Sequence, residues 1–372
     1  MQRVIVVGGG VLGMMHALAA RQRGHQVMHL EREAGPRGAT VRNFGLIWIS
    51  GRAPGAELAL ALRARELWEE LAGVVPGTGF RSHGSLTLAR NDAECALLRE
   101  AAGRPDAGER GCRLLDGAAV RALNPALQGA FECGLYCEKD AIVEPRQVPA
   151  AIRDYLLAIG SPDGYAWLPG REAVEVGSGA VCDQTGTWHR GDLVILCTGA
   201  AHTGVAGRYL SRCDRAPLRR VRLQMLQTGP FGRRLSTSLA DGDSLRYYPA
   251  YDLPGRAGLA PQEPAAAAAE AQLLLAQRLD GSLTIGDTHA YDEPFDFDLD
   301  EAAYDHLRTV AEGLLGSPLP PTRRRWAGVY SQATGTGIYL RGEVEPGVQL
   351  VTGPGGRGMT LAPAIAEQTF AS

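Results

Sequence analysis

The first thirty-one residues restrict the possible folds more than any other part of the chain. Val4-Ile5-Val6-Val7 reads as a strand, breaks into Gly8-Gly9-Gly10-Val11-Leu12-Gly13, runs on as a helix, and returns as a second strand, Val27-Met28-His29-Leu30-Glu31. In the pattern Gly8-x-Gly10-x-x-Gly13, the first glycine allows a tight turn and the second brings bare backbone against a pyrophosphate. The third packs the helix onto the strand. Phosphates would sit at the helix N-terminus, where unpaired N–H groups and the macrodipole favour an anion, with Val11 and Leu12 as neighbours. Glu31 lies 23 residues after Gly8, with Arg32 beside it, where a carboxylate can accept hydrogen bonds from an adenosine ribose. A carboxylate there repels a 2′-phosphate, so FAD or NAD is favoured over NADP. A lone glycine pattern is weak evidence, but here strand, turn, helix, second strand and acid agree.

Arg3 precedes an apolar stretch as in a secretory signal, but glycines interrupt that stretch and no small-residue cleavage site follows. No uninterrupted apolar run approaches the ~18 residues of a membrane span. A cytoplasmic chain is the expectation. At 372 residues and 45% hydrophobic content, two associated cores are expected. The 38 basic and 41 acidic residues leave a net charge of −3, which points to neither a nucleic-acid partner nor a membrane surface. The 7 cysteines are expected to be reduced thiols. Cys133 and Cys137 have no second pair at zinc spacing and read as packing residues, with no metal site.

After the first βαβ unit comes a small-residue loop, Gly38-Ala39-Thr40-Val41-Arg42-Asn43-Phe44-Gly45. Residues 56–72 read as a helix, His83–Leu88 as a strand, and 91–122 as helix and loop. Ala141–Pro145 followed by Val148–Ile152 resembles a strand end entering a helix. Residues 172–176 and 180–188 suggest a hairpin. Asp192–Ala200 is a continuous apolar run ending in a glycine turn, the mark of a parallel strand covered on both faces. Arg220–Gln227, Ser244–Pro249, Leu273–Arg278 and Ser282–Gly286 read as antiparallel strands, the last two joined at Asp280-Gly281. A helix over 300–315, a strand Val348–Val351, a glycine loop and a helix from about 360 complete the chain.

GxGxxG with Glu31, the loop 38–45, the strand end Cys197-Thr198-Gly199, and Gly353-Pro354-Gly355-Gly356-Arg357-Gly358-Met359-Thr360 together resemble the FAD-dependent amine and amino-acid oxidases typified by glycine oxidase and sarcosine oxidase. The resemblance covers nearly the whole chain. Ala39–Gly45, Arg222-Leu223-Gln224-Met225, Ile285–His289 and Gly356–Thr360 are similar to a branch associated with phosphonate catabolism. The implied fold is α/β, a Rossmann-like FAD-binding domain with an antiparallel-sheet substrate domain. Residues 1–80, 141–215 and 320–372 would form the first domain, and 81–140 with 216–319 the second.

The same resemblance implies roles for particular residues. Residues 353–360, including Gly355, Gly356, Arg357, Gly358, Met359 and Thr360, would face the flavin ring, where a helix N-terminus meets the negative charge of the reduced ring. Thr40, Arg42 and Asn43 would run along the pyrophosphate and flavin, although a solvated arginine and a turn-holding asparagine are the plain alternatives. Thr198 and Gly199 would close the nucleotide side, and the backbone at Val174 would neighbour the adenine. Such enzymes pass a hydride equivalent from the carbon beside nitrogen to the flavin, so no dedicated general base is required.

Here the chain departs from the common pattern. The arginine that usually follows the Trp-x-Gly strand and clamps a substrate carboxylate is replaced, in Trp326-Ala327-Gly328-Val329-Tyr330, by Tyr330. Arg246, Tyr247 and His289 are the other candidates for holding an anionic tail, along with Arg357. No cysteine follows Cys213, so the FAD is expected to be noncovalent. The expected activity is oxidation of a small amine with an anionic tail, such as an aminophosphonate, with O2 as acceptor. A 2-hydroxy-acid dehydrogenase or a flavin-binding subunit without turnover are the alternatives.

Overall fold

The structure, a computed structural model, describes residues 1–160, 164–213 and 217–371. Strand β1 (Arg3–Val7) leads through helix α1 (Val11–Gln22) into β2 (Gln26–Glu31), parallel to β1. Leu193–Leu196 pairs in parallel with the other side of β1, and Tyr165–Pro169 extends the sheet beyond β2. Val348–Thr352 adds a parallel strand and Leu340–Glu345 an antiparallel edge, giving six strands. The apolar runs lack polar alternation because both faces are covered. Val4 and Val6 face α1 and the helix Gly358–Thr369, while Ile5 and Val7 face the small sheet of Ala173–Gly177, Ala180–Asp183 and Trp188–Arg190.

A short strand β3 (Leu46–Ile47) pairs with Ala141–Ile142 and precedes the long helix α2 (Ala56–Val74). Trp68 of α2 is fully buried, and its indole N–H donates to the Met359 carbonyl at 2.9 Å. This bond ties α2 to the C-terminal helix that also packs on α1. The second large sheet has eight strands, with the long antiparallel pair Thr322–Ala333 and Leu218–Pro230 at one edge. Leu274–Gln277 and Ser282–Gly286 form the hairpin expected at Asp280-Gly281. The expected domain boundary at 215/216 lies outside the described residues.

Three expectations need correction. Ser244–Pro249 is not a strand: Ser244–Tyr247 is one helical turn, followed by a 3₁₀ turn at Pro249–Tyr251. The chain leaves the sheet at Asp241, whose carboxylate accepts the Asp243 N–H at 3.2 Å and turns the backbone. The stretch 91–122 also hides an edge strand, Cys112–Asp116, whose half-exposed side chains carry no clean alternation. The third concerns the thiols: Cys95 and Cys133 form a disulfide with Cα atoms 6.1 Å apart. Helix Asp92–Ala102 carries Cys95 onto Cys133, a meeting that a separation of 38 residues concealed. Cys112, Cys137, Cys182, Cys197 and Cys213 are thiols.

Two buried histidines pin α1 and its turn. His29 Nε2 meets the Gly8 carbonyl at 3.0 Å, and His16 Nδ1 meets the Leu12 carbonyl at 2.7 Å. Burial pushes both imidazoles down from 6.5 to about 4. Between pH 6.5 and 4 the unfolded chain binds more protons than the native one, so stability falls as pH falls through that window and is unaffected above it. Each histidine should remove on the order of 2–3 kcal/mol by the bottom of the window. Urea midpoints measured across it should drop steeply, and less steeply for His16→Gln.

Candidate active site

A cavity of about 1080 Å³ lies between the two large sheets, at the top of the ~300–1,000 Å³ range of small-molecule sites. At one end stands the glycine turn, held by close approaches that exclude side chains. Gly8 has φ +103°, and a Cβ there would lie 2.3 Å from the Cys197 carbonyl oxygen; a Cβ on Gly13 would lie 1.8 Å from the Gly8 oxygen. Gly8, Gly10, Val11 and Leu12 line the cavity, while Gly13 serves the packing beneath. The buried Glu31 carboxylate accepts N–H groups from Gly9 at 2.6 Å and Glu33 at 3.0 Å. Both Glu31 and Arg32 face the cavity. One donor of the turn is already taken: the Val11 N–H goes to Thr40 Oγ1 at 2.9 Å.

Thr40, Arg42, Asn43, Thr198 and Gly199 line the middle of the cavity. Arg42 donates to the Arg37 carbonyl at 2.8 Å and the Ala327 carbonyl at 2.9 Å, so its fork clips the loop to the long strand. Asn43 donates to the Ala39 and Thr40 carbonyls and accepts the Gly45 N–H at 2.6 Å, holding a turn. Val174 is 50% exposed and outside the lining, which here comes from Glu172 and Ala173. Gly355, Gly356, Arg357, Gly358, Met359 and Thr360 form the far wall. Arg357 donates to Glu57, Ile338 and Pro354, and the Thr360 hydroxyl receives the backbone N–H of Trp48 at 3.0 Å.

Beyond that wall the cavity ends in aromatic rings. Tyr247 stacks on His289 with centroids 4.2 Å apart, and its hydroxyl lies 3.4 Å from that of Tyr330. A Cβ on Gly356 would stand 3.8 and 3.9 Å from these two hydroxyls, so the glycine loop and the ring cluster adjoin. Burial raises the pKa of both tyrosines, keeping them protonated. His289 Nδ1 meets the Glu270 carbonyl at 3.0 Å, which requires Nδ1–H and turns Nε2 toward Asp287, 3.9 Å away. Burial pushes the Asp287 carboxyl above the usual range, and His289 partly offsets this.

Of the four expected substrate contacts, Tyr247, His289 and Tyr330 meet here and Arg246 does not. Arg246 bonds Asp243 at 3.2 Å and the Ala260 carbonyl, because the helical turn sends it away from Tyr247. Sequence reasoning missed Trp48, Arg52, Tyr248, Gln272, Asp287 and Tyr291, all in the lining. The visible signal was Arg52, a charge closing the apolar run Phe44–Ile49.

The glycine turn, a carboxylate at the end of β2, a donor-rich loop before the C-terminal helix and an elongated cavity joining them fit a flavin dinucleotide. This is the frame of a flavin-dependent oxidoreductase. The chain belongs to the DAO family of FAD-dependent oxidoreductases, whose profile matches residues 3–371. It is 32% identical over 215 residues to a thiamine biosynthesis oxidoreductase, ThiO, of Rhizobium etli; the match covers 54% of this chain and 55% of that one, about half its length. Among solved structures it is similar to glycine oxidase from Bacillus cereus, with TM-score 0.77, 19% identity and 99% and 93% of the two chains covered. It is also similar to iminodiacetate oxidase from Chelativorans sp., with TM-score 0.76, 19% identity and coverage of 99% and 94%. At such identity the likeness is one of fold. The cofactor is FAD.

Replacing Glu31 by Ala leaves the Gly9 and Glu33 N–H groups without their acceptor and tests the expected ribose contact of Glu31. FAD retention, read by equilibrium dialysis, should weaken by about 1–3 kcal/mol. Unchanged affinity would mean that the nucleotide lies elsewhere.

Proposed function

We propose that the chain oxidises the C–N bond of a small primary or secondary amine bearing an anionic tail, with aminophosphonates as the leading class. The product imine is hydrolysed by water to an aldehyde or oxo acid, and O2 takes the electrons to give H2O2. Noncovalently bound FAD supplies the two-electron acceptor. The observation that carries this reading is the ring-walled end of the cavity, next to the loop 353–358, where buried polar groups converge on a small volume. The domain limits given above are part of the same proposal.

The chain's own groups bind and orient. Tyr247 and Tyr330 present hydroxyls at the glycine loop, and the stacked His289 and edge-on Tyr248, 5.1 Å from Tyr247, exclude water. An amine enters mostly as ammonium and must lose a proton before its carbon is oxidised. Asp287, buried and raised, lines the cavity and is the carboxylate placed to take that proton.

Two outcomes check this reading. Anaerobic mixing with small anionic amines should bleach the bound flavin. If only 2-hydroxy acids bleach it, the carbon–oxygen alternative replaces the amine reading, and if nothing does, the protein is a flavin carrier. Asp287→Asn should lower kcat/KM at neutral pH on the order of 10²-fold, the usual scale for a lost proton acceptor. The deficit should shrink as pH rises and the free amine is supplied by solution, so a pH-independent deficit would remove Asp287 from this role.

A further inference from the structure

Arg52 stands in the cavity wall at 4% exposure, on a turn with little freedom. The buried Asp140 carboxylate accepts the N–H groups of Ile49 at 2.5 Å and Ser50 at 3.0 Å, and the hydroxyls of Ser50 and Ser85, both at 2.6 Å. Arg110 donates to the carbonyls of Ile49 at 3.0 Å and Ser50 at 3.1 Å, and the Arg52 N–H returns to Ile49 O at 3.2 Å. The turn is thus stitched from both sides, and its one long side chain enters the cavity with its Cζ 5.6 Å from the Tyr248 ring centre.

The charges around it do not balance. Arg52 Nη1 lies 3.5 Å from Glu57 Oε1, while Glu57 Oε2 is held by Arg357 Nη1 at 2.9 Å. Two guanidinium groups share one carboxylate, leaving one positive charge. Arg357 is also committed to the carbonyls of Pro354 and Ile338, and Arg42 to backbone carbonyls. Arg52 Nε is buried without a hydrogen-bond partner, as is the indole Nε1 of Trp48 in the same wall. Native structures rarely leave buried donors unpaired, and a buried cation in surplus calls for a counter-ion. Glu57 occupies one side of the Arg52 fork and leaves the Nε edge unpaired, and parallel donors of that kind fit carboxylate or phosphonate oxygens.

We propose that Arg52, assisted by the Trp48 indole N–H, is the anchor for the anionic end of the substrate, a carboxylate or phosphonate. It would replace the strand arginine whose place Tyr330 occupies. The proposal rests on the anionic-amine reading above for its substrate, but the anchor itself can be read without turnover. Holoenzyme is titrated with methylphosphonate and with acetate, unreactive anions, and the visible spectrum of the bound flavin is followed. Wild type should show a saturable change, and Arg52→Gln should weaken it by at least about tenfold, with Arg52→Lys between them. In steady state, KM for an anionic amine should rise by about the same factor in Arg52→Gln, so that the preference for an anionic amine over ethanolamine, an uncharged-tail amine, falls by that factor. Equal flavin content in the three proteins establishes that the variants fold. Methylphosphonate binding as tight in Arg52→Gln as in wild type, or equal loss for charged and uncharged tails, overturns the anchor. If no amine bleaches wild type yet methylphosphonate binds through Arg52, the amine reading falls and the anchor stands.

Discussion

Everything in the site depends on how closely bare backbone meets bare backbone at the ends of β1 and α1. The missing Cβ atoms at Gly8 and Gly13 would fall 2.3 Å and 1.8 Å from carbonyl oxygens, closer than any side chain tolerates. Because they are missing, the first turn of α1 sits directly over the carboxyl ends of the parallel strands. His29 then holds the Gly8 carbonyl from beneath, and Glu31 holds the Gly9 N–H from the side. A preorganised anion seat results at the crevice where doubly wound sheets bind their ligands.

From that seat the cavity gains its second pole through a different device. Asp140, brought by the strand Ala141–Ile142 beside β3, fastens the turn after β3, and the turn delivers Arg52. Glu57, at the start of α2, and Arg357, before the C-terminal helix, complete a charge cluster of two cations and one anion. The elements that build the nucleotide fold thereby also place the surplus charge at the ring-walled end. Asp287 and His289 enter the lining from the other sheet.

Local patterns carried the nucleotide half of the fold. Gly8–Gly13, Glu31 and the apolar run 193–196 are legible because each follows from contacts within one βαβ unit or one buried strand. The substrate half was less legible. Ser244–Tyr247 has the composition of a strand, but the sheet position was already filled by Ser238–Ala240, so tertiary pairing overrode the pattern and turned Arg246 away. Cys95–Cys133 and the Arg52–Glu57–Arg357 cluster depend on distant contacts, the Glu57–Arg357 pair being 300 positions apart, which no local period encodes. Asn43, a candidate for the cofactor, spends its hydrogen bonds on the loop itself, and Arg42, another, spends its own on the loop and on the long strand at Ala327.

The central claim is that one cavity has two anion seats, one for the pyrophosphate at α1 and one at Arg52 for the substrate tail. A crystal structure of the holoprotein with methylphosphonate tests it most directly. The account predicts the FAD pyrophosphate over Gly10–Leu12, its ribose on Glu31, and the phosphonate oxygens on Arg52 and the Trp48 indole N–H. A phosphonate bound away from Arg52, or an FAD whose adenosine avoids Glu31, would contradict it.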